Sequence, residues 1–167
     1  MSQHVIPYGR QSISDEDIQA VIEVLKSDYL TQGPSIAAFE NAFAEYVGAK
    51  YAIAISNGTT ALHLGALALG VKKGTKVITT PITFVASANC VKYGEGEVYF
   101  ADIDPNTFII DVEKVRILLE ASPKGTYSGI IPVDFAGYPV NTEESVSYTH
   151  LRAHETGRNL VCRLLLE

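Results

Sequence analysis

The chain has 167 residues, of which 47% are hydrophobic, which is enough for one domain with an apolar core. Its formal net charge of −6 at pH 7 argues against nucleic acid or an anionic membrane surface as the main partner. Two cysteines form no disulfide framework, and the N-terminal sequence does not have the pattern of a signal peptide, so we expect a cytoplasmic protein. The sequence has no run of about 18 apolar residues, so we expect no membrane span.

Two amphipathic helices are predicted before the first strand. Ser14 is expected to cap the first helix, over residues 15–27, because acidic residues follow it and negative charge favours a helix N-terminus. One apolar face of this helix is formed by Ile18, Val21, Ile22 and Leu25. After a loop over residues 30–34, the second helix covers residues 35–47 and ends at Gly48.

Strands alternate with helices in the next part of the chain, which predicts an α/β fold with a mainly parallel sheet and right-handed connections. The predicted elements are strand 51–55, helix 59–69, strand 76–80, helix 83–93, strand 98–101, helix 111–121 and strand 129–133. Ligands of such sheets bind beyond the carboxyl ends of the strands. Residues 58–60, 81–84, 102–104 and 134–137 are therefore expected along one edge, which we call the carboxyl edge.

The turn Ser-Asn-Gly-Thr-Thr, residues 56–60, lies between a predicted strand and a predicted helix. Gly58 allows a sharp turn and the close approach of a ligand. Thr59 and Thr60 bring hydroxyls and free N–H groups to the first helical turn, where the helix dipole favours an anion such as phosphate. Because Ser and Thr are also common helix caps, a phosphate site and a cap without a ligand both remain open at this point.

Five motifs follow one another along the chain: IPYGRQSIS, DYLTQGP, SNGTTALHLGALALG, TTPITFVASANCV and FADIDPNTFIID. In this order and spacing they resemble the DegT/DnrJ/EryC1/StrS family of sugar aminotransferases. The resemblance implies a truncated large domain of the type I fold of pyridoxal 5'-phosphate (PLP) enzymes, the fold of aspartate aminotransferase. It also implies a homodimeric full-length enzyme that uses PLP and takes its amino group from glutamate.

Within the family, the opening IPYGRQSI and the loop LTQGP are most similar to members that act in pseudaminic acid synthesis. The substrate implied is a nucleotide sugar, a UDP-linked 4-keto-6-deoxy sugar that receives the amino group at C4. The product of that reaction is UDP-4-amino-4,6-dideoxy-N-acetyl-β-L-altrosamine.

The resemblance also assigns roles to residues of this chain. Gly58–Thr60 match the turn that holds the PLP phosphate in the family, and Phe84 matches the aromatic residue that stacks on the pyridine ring. Without the resemblance, Phe84 would be interpreted as a core residue. Tyr8 is expected to line the substrate entrance, and Asp134 is expected near the cofactor.

Several other polar residues have a simple structural interpretation. Asp102 and Asp104 are interpreted as turn residues rather than as a metal pair, and no metal site is predicted. His63 and Cys90 are expected to pack within helices, and Thr83 is expected only to cap the helix that follows it.

Transamination by PLP needs a lysine that forms a Schiff base with the cofactor. In the family this lysine, and the aspartate that binds the pyridine nitrogen, lie downstream of the motifs above. No lysine follows Lys124, which lies in a Ser-Pro-Lys-Gly turn, so the chain has no catalytic residue of its own and is expected to be inactive. A non-catalytic phosphate- or nucleotide-binding domain and a regulatory relative without the lysine remain alternatives.

The last part of the chain, residues 145–167, differs in composition from the rest. It holds three of the five arginines and none of the eight lysines, and it does not continue the alternation of strands and helices. It also resembles translated adapter sequence that recurs on unrelated environmental sequences. We interpret residues 1–144 as the part related to the family and residues 145–167 as a foreign tail, with a genuine C-terminal helix as the alternative.

Overall fold

The computed structural model describes residues 11–140. Its helices are α1 (Asp15–Leu25), α2 (Pro34–Val47), α3 (Gly58–Ala68), α4 (Ala86–Tyr93) and α5 (Val112–Glu120), and its strands are β1 (Lys76–Thr79), β2 (Glu97–Phe100) and β3 (Gly129–Ile131). A short 3-10 helix covers Phe135–Gly137. The chain divides into two compact units, with the boundary between Ala54 and Ile55. Among these helices, none is both long enough and apolar enough to cross a membrane.

The first unit contains α1 and α2, whose predicted ends are confirmed closely. The Ser14 hydroxyl accepts a hydrogen bond from the Asp17 backbone N–H at 3.2 Å, and the Asp17 carboxylate accepts one from the Ser14 N–H at 2.8 Å. Gly48 ends α2 with a left-handed φ of 67°. The predicted apolar face of α1 is exposed at Ile18, Val21 and Leu25. The periodicity therefore predicted the helix and its apolar face correctly, and that face is largely exposed.

The sheet lies in the second unit and is parallel, as predicted, with the strand order β2-β1-β3. Val77 of the central strand β1 pairs with Val98 on one side and with Gly129 on the other. Val77 belongs to a core cluster with residues of α3 and α4, whereas the next residue, Ile78, belongs to a second cluster with α5. Helices thus cover both faces of the sheet, which is the predicted α/β arrangement.

The prediction of a buried strand over residues 51–55 was wrong. The segment is irregular, and the side chains of Tyr51 and Ile53 are 75% and 79% exposed. A strand requires a neighbour for its backbone hydrogen bonds, and no strand in the described part of the chain pairs with this segment. The Ala54 N–H instead donates to the Glu40 carboxylate at 2.8 Å. The sequence of residues 51–55 indicates a high β propensity, but a local sequence does not specify a neighbouring strand to pair with.

The helix predicted over residues 83–93 begins three residues late, at Ala86. Three of the four residues before it are β-branched, and such residues have a slightly lower helix propensity. Val85 is the N-cap residue, and no side chain caps the helix backbone, so the capping role predicted for Thr83 was wrong. Phe84 therefore lies in the loop between β1 and α4 rather than within the helix.

Candidate functional site

The carboxyl edge brings together the loops that follow the three strands of the second unit, because parallel strands that pair in register end on the same side. Phe84 follows β1, Asp102 and Asp104 follow β2, and Asp134 follows β3. This arrangement agrees with the order of the loops that the sequence predicts.

Helix α3 also begins at the carboxyl edge, although no strand of the described sheet precedes it. Its C-terminal end lies beside that of α4, because a Cβ atom on Gly94 would come within 2.8 Å of the carbonyl oxygen of Val71. Val71 is the third residue after the end of α3, and Gly94 follows α4 directly. The two helices therefore run in the same direction, opposite to the strands, and their N-termini lie on the same side of the sheet. Gly58–Thr60 and Phe84 share this side.

The N-terminus of α3 is capped by Asn57, a residue that the sequence analysis did not single out. The Asn57 Oδ1 atom accepts hydrogen bonds from the Thr60 backbone N–H at 2.9 Å and from the Thr60 hydroxyl at 3.1 Å. The Asn57 Nδ2 atom donates to the Ser56 hydroxyl at 3.2 Å. Asn is among the preferred N-cap residues, so the sequence did contain the signal. Thr60 is thus engaged by the cap.

Gly58 and Thr59 occupy the first helical turn, where backbone N–H groups have no acceptor within the helix. Both residues are half-buried. Gly58 is helical and does not have a positive φ, so the turn does not require the conformational freedom of glycine. Because Gly58 has no side chain beside its N–H group, a ligand can approach that N–H group closely. These two N–H groups and the helix dipole suit an anion.

Phe84 presents a large apolar surface at the same edge, since 69% of the residue is exposed. The core position that its sequence alone favoured is therefore not found. An exposed ring can stack on a planar group, and offset stacking is the arrangement that aromatic rings prefer. PLP combines a phosphate with a planar pyridine ring, so the free N–H donors of α3 and the open face of Phe84 both fit this cofactor.

Asp134 is half-buried and has a structural task in the loop after β3. Its Oδ1 atom accepts a hydrogen bond from the Val140 N–H at 2.8 Å, which ties the two ends of this loop together. A role for Asp134 near the cofactor stays a prediction. Tyr8, the other residue predicted near the substrate, lies outside the described residues.

The turn interpretation is confirmed for Asp104. The Asp104 Oδ1 atom accepts hydrogen bonds from the Asn106 N–H at 2.8 Å and the Thr107 N–H at 3.0 Å, and these donors lower the pKa of the carboxyl below its ordinary value. The Asp102 carboxylate accepts a bond from the adjacent Ile103 N–H at 2.8 Å. Within residues 11–140, no group of three or more His, Cys, Asp and Glu side chains is placed to hold a metal ion.

His63 and Cys90 both pack, as the sequence predicts. The His63 ring meets the Tyr93 ring edge-on, with 5.1 Å between the ring centroids. Cys90 is buried, and its thiol donates to the Ser87 carbonyl oxygen at 3.2 Å. Both side chains therefore have structural surroundings within the helical layer.

Known proteins match most of the chain. A sequence model of the DegT/DnrJ/EryC1/StrS aminotransferase family matches residues 11–151 and leaves residues 152–167 unmatched. The spore coat polysaccharide biosynthesis protein SpsC of Bacillus subtilis is 42% identical over 134 residues, which are 80% of this chain and 33% of that protein. The chain spans about a third of the length of the curated relatives it matches.

Solved structures match the fold. Helicobacter pylori PseC, described as an aminotransferase involved in the biosynthesis of pseudoaminic acid, has a TM-score of 0.76 and 33% identity over 87% of this chain and 38% of its own. The Streptococcus pneumoniae protein Spr1654, assigned as a sugar aminotransferase and solved in a PLP-form, has a TM-score of 0.76 and 26% identity over 86% of this chain and 36% of its own. The predicted fold class, a partial aminotransferase fold, is confirmed.

Proposed function

Because the chain belongs to the DegT/DnrJ/EryC1/StrS aminotransferase family, we propose that it is part of a PLP-dependent nucleotide-sugar aminotransferase. The amino group passes from glutamate to C4 of a UDP-linked 4-keto-6-deoxy sugar of pseudaminic acid synthesis, in a cytoplasmic homodimer. The proposal is supported by the parallel strand pairing and by the contact between the ends of α3 and α4, from which we infer that the α3 N-terminus and Phe84 lie on the same side of the sheet. The substrate assignment is supported by the opening motifs and by the likeness to PseC.

The residues of this chain bind and orient the cofactor in this proposal. The N–H groups of Gly58 and Thr59 donate to the phosphate, while Asn57 and Thr60 hold the helix end in place. Phe84 contacts one face of the pyridine ring and fixes its plane. Bound PLP supplies an electron sink for amino transfer. No residue of this chain is assigned to the proton transfer, since no lysine follows Lys124.

The test of inactivity uses the purified 167-residue chain with PLP, glutamate and a UDP-linked 4-keto-6-deoxy sugar. We expect no amino sugar, and borohydride reduction should not label one specific lysine in preference to the other surface lysines. An active full-length family member serves as the positive control. Turnover together with labelling of one lysine would contradict the proposal that the catalytic lysine is missing.

A second measurement separates the proposal from a general phosphate- or nucleotide-binding domain, which the missing lysine leaves as the alternative. Pyridoxamine phosphate (PMP) is a suitable probe because it has no aldehyde to react with surface lysines. We expect PMP to bind more tightly than inorganic phosphate or UDP, because phosphate has no ring and the uracil of UDP is separated from its phosphates by a ribose, whereas the pyridine ring of PMP is joined to its phosphate by a short link that suits the proposed positions of α3 and Phe84. Equal binding of all three would favour the alternative.

A further inference from the structure

The loop that carries Phe84 is held by Ser87. The Ser87 backbone N–H donates to the Phe84 carbonyl oxygen at 3.0 Å. The Ser87 and Thr83 hydroxyl oxygens lie 2.8 Å apart, so one hydroxyl donates to the other at an ordinary hydrogen-bond distance. Thr83, through its hydroxyl, and Phe84, through its carbonyl oxygen, are thus both hydrogen-bonded to Ser87. The Phe84 side chain itself is mostly exposed.

Ser87 is a firm point of attachment. It is only 2% exposed and lies in the first turn of α4, between core residues Ala86 and Cys90. Its carbonyl oxygen accepts a hydrogen bond from the Cys90 thiol at 3.2 Å. Because the core around it is closely packed, Ser87 is held in a fixed position, and its hydrogen bonds fix the loop relative to α4.

We propose that Thr83 and Ser87 are positioning residues for Phe84 and, through it, for the plane of the PLP ring. The inference rests on the proposed function, because Phe84 needs an accurate position only if a flat cofactor stacks on it. An exposed ring has few contacts of its own to hold it, and stacking weakens when the two planes tilt or separate. A hydroxyl pair that ties the loop to the core supplies the missing constraint.

The experiment compares isosteric variants of the full 167-residue chain. Thr83→Val removes the hydroxyl that pairs with Ser87, and Thr83→Ser keeps a hydroxyl. Thr79→Val is the matched control, because it removes the buried hydrogen bond from the Thr79 hydroxyl to the Ile131 carbonyl oxygen, 2.9 Å long, in the neighbouring strand. The dissociation constants of PMP and of inorganic phosphate are measured by NMR titration.

We expect Thr83→Val to weaken PMP binding about fivefold, the effect of losing one ordinary hydrogen bond, and to leave phosphate binding unchanged. Thr83→Ser and Thr79→Val should bind PMP like the unchanged chain. Unchanged PMP binding by Thr83→Val would overturn the inference, and so would equal losses in Thr83→Val and Thr79→Val.

A second readout needs no cofactor. With phenylalanine rings labelled with carbon-13, the resonances of Phe84 report its surroundings in the free protein, and they should shift in Thr83→Val and in Ser87→Ala but not in Thr79→Val. Absence of PMP binding by the unchanged chain would overturn the proposed cofactor site. The Phe84 resonances would still test the positioning role, and identical resonances in all variants would overturn it.

Discussion

Single residues at the carboxyl edge are predicted to bind different parts of one cofactor. Thr59→Ala should weaken PMP and phosphate binding alike, by up to about 1.5–3 kcal/mol, if the Thr59 hydroxyl donates to the phosphate beside the N–H groups of Gly58 and Thr59. Phe84→Ala should weaken PMP binding and leave phosphate binding unchanged. Thr126→Ala, which alters a hydroxyl in a surface turn, is the control. Unchanged PMP affinity in both site variants would contradict the site.

The carboxylate of Asp104 gives a prediction about pH. Hydrogen bonds from the N–H groups of Asn106 and Thr107 lower its pKa in the folded protein. A lowered folded pKa means that the stabilisation is present above the pKa of the unfolded chain and is lost as the pH falls through the folded pKa. The free energy of unfolding should therefore fall more in acid for the unchanged chain than for Asp104→Asn.

Urea unfolding at neutral pH and at about pH 3, below the ordinary aspartate pKa, measures this difference. Asp28→Asn, a change in the loop between α1 and α2, controls for the loss of one negative charge. The same acid sensitivity in Asp104→Asn and in the unchanged chain would show that the turn does not depend on the charged carboxylate.

Among the helices and strands, the sequence predicted best those elements whose ends are set locally. Ser14 and Gly48 lie where the sequence places them, and α5 begins after Asp111, whose carboxylate accepts a hydrogen bond from the Glu113 N–H at 2.8 Å. Such caps depend on residues only a few positions away. The same locality explains why the start of α3, predicted at Thr59 and found at Gly58, was predicted to within one residue.

The sequence-based predictions that were wrong concern features that depend on distant residues. Residues 51–55 have strand propensity, but pairing requires a neighbour that the local sequence does not specify. The exposure of Phe84 and the hydroxyl pair of Thr83 and Ser87 follow from how the loop packs against α4. Asn57 is different, because its preference for N-cap positions was visible in the sequence and was overlooked.

The capping box of α1 gives a prediction at this scale. Ser14→Ala removes a hydroxyl that accepts from the Asp17 N–H, which should destabilise α1 by about 1 kcal/mol. Hydrogen exchange of the α1 amides measures the change, and Ser12→Ala, two residues before the cap, is the control. Equal exchange in both variants would show that the cap contributes little to this helix.

For the whole molecule, the composition of residues 145–167 leads to a prediction about truncation. These residues lie outside the described part of the chain, and their sequence does not continue the alternation of strands and helices. Deleting them should change the free energy of unfolding by no more than about 0.5 kcal/mol, as typical surface changes do. A loss of several times that value in urea unfolding would show that the segment belongs to the fold.

Burial is distributed unevenly over the molecule, and this leads to a prediction about local stability. In β1, Val77, Ile78 and Thr79 are buried, whereas α1 has no buried residue and α2 has only Ala44. Because local opening is easiest where few apolar contacts must be broken, amide exchange should be slowest in β1 and fastest in α1. Native-state hydrogen exchange of the unchanged chain measures this order residue by residue.

The comparison of α1 with β1 also tests whether the apolar face of α1 is covered in solution. If that face is exposed, replacing Val21 by the isosteric Thr should leave the exchange rates of the β1 amides unchanged and should barely alter those of α1. The same replacement at the buried Val77 should accelerate exchange throughout the sheet, because it introduces a hydroxyl into a closely packed core. Slow exchange in α1 that Val21→Thr abolishes would show that the face is buried against another surface.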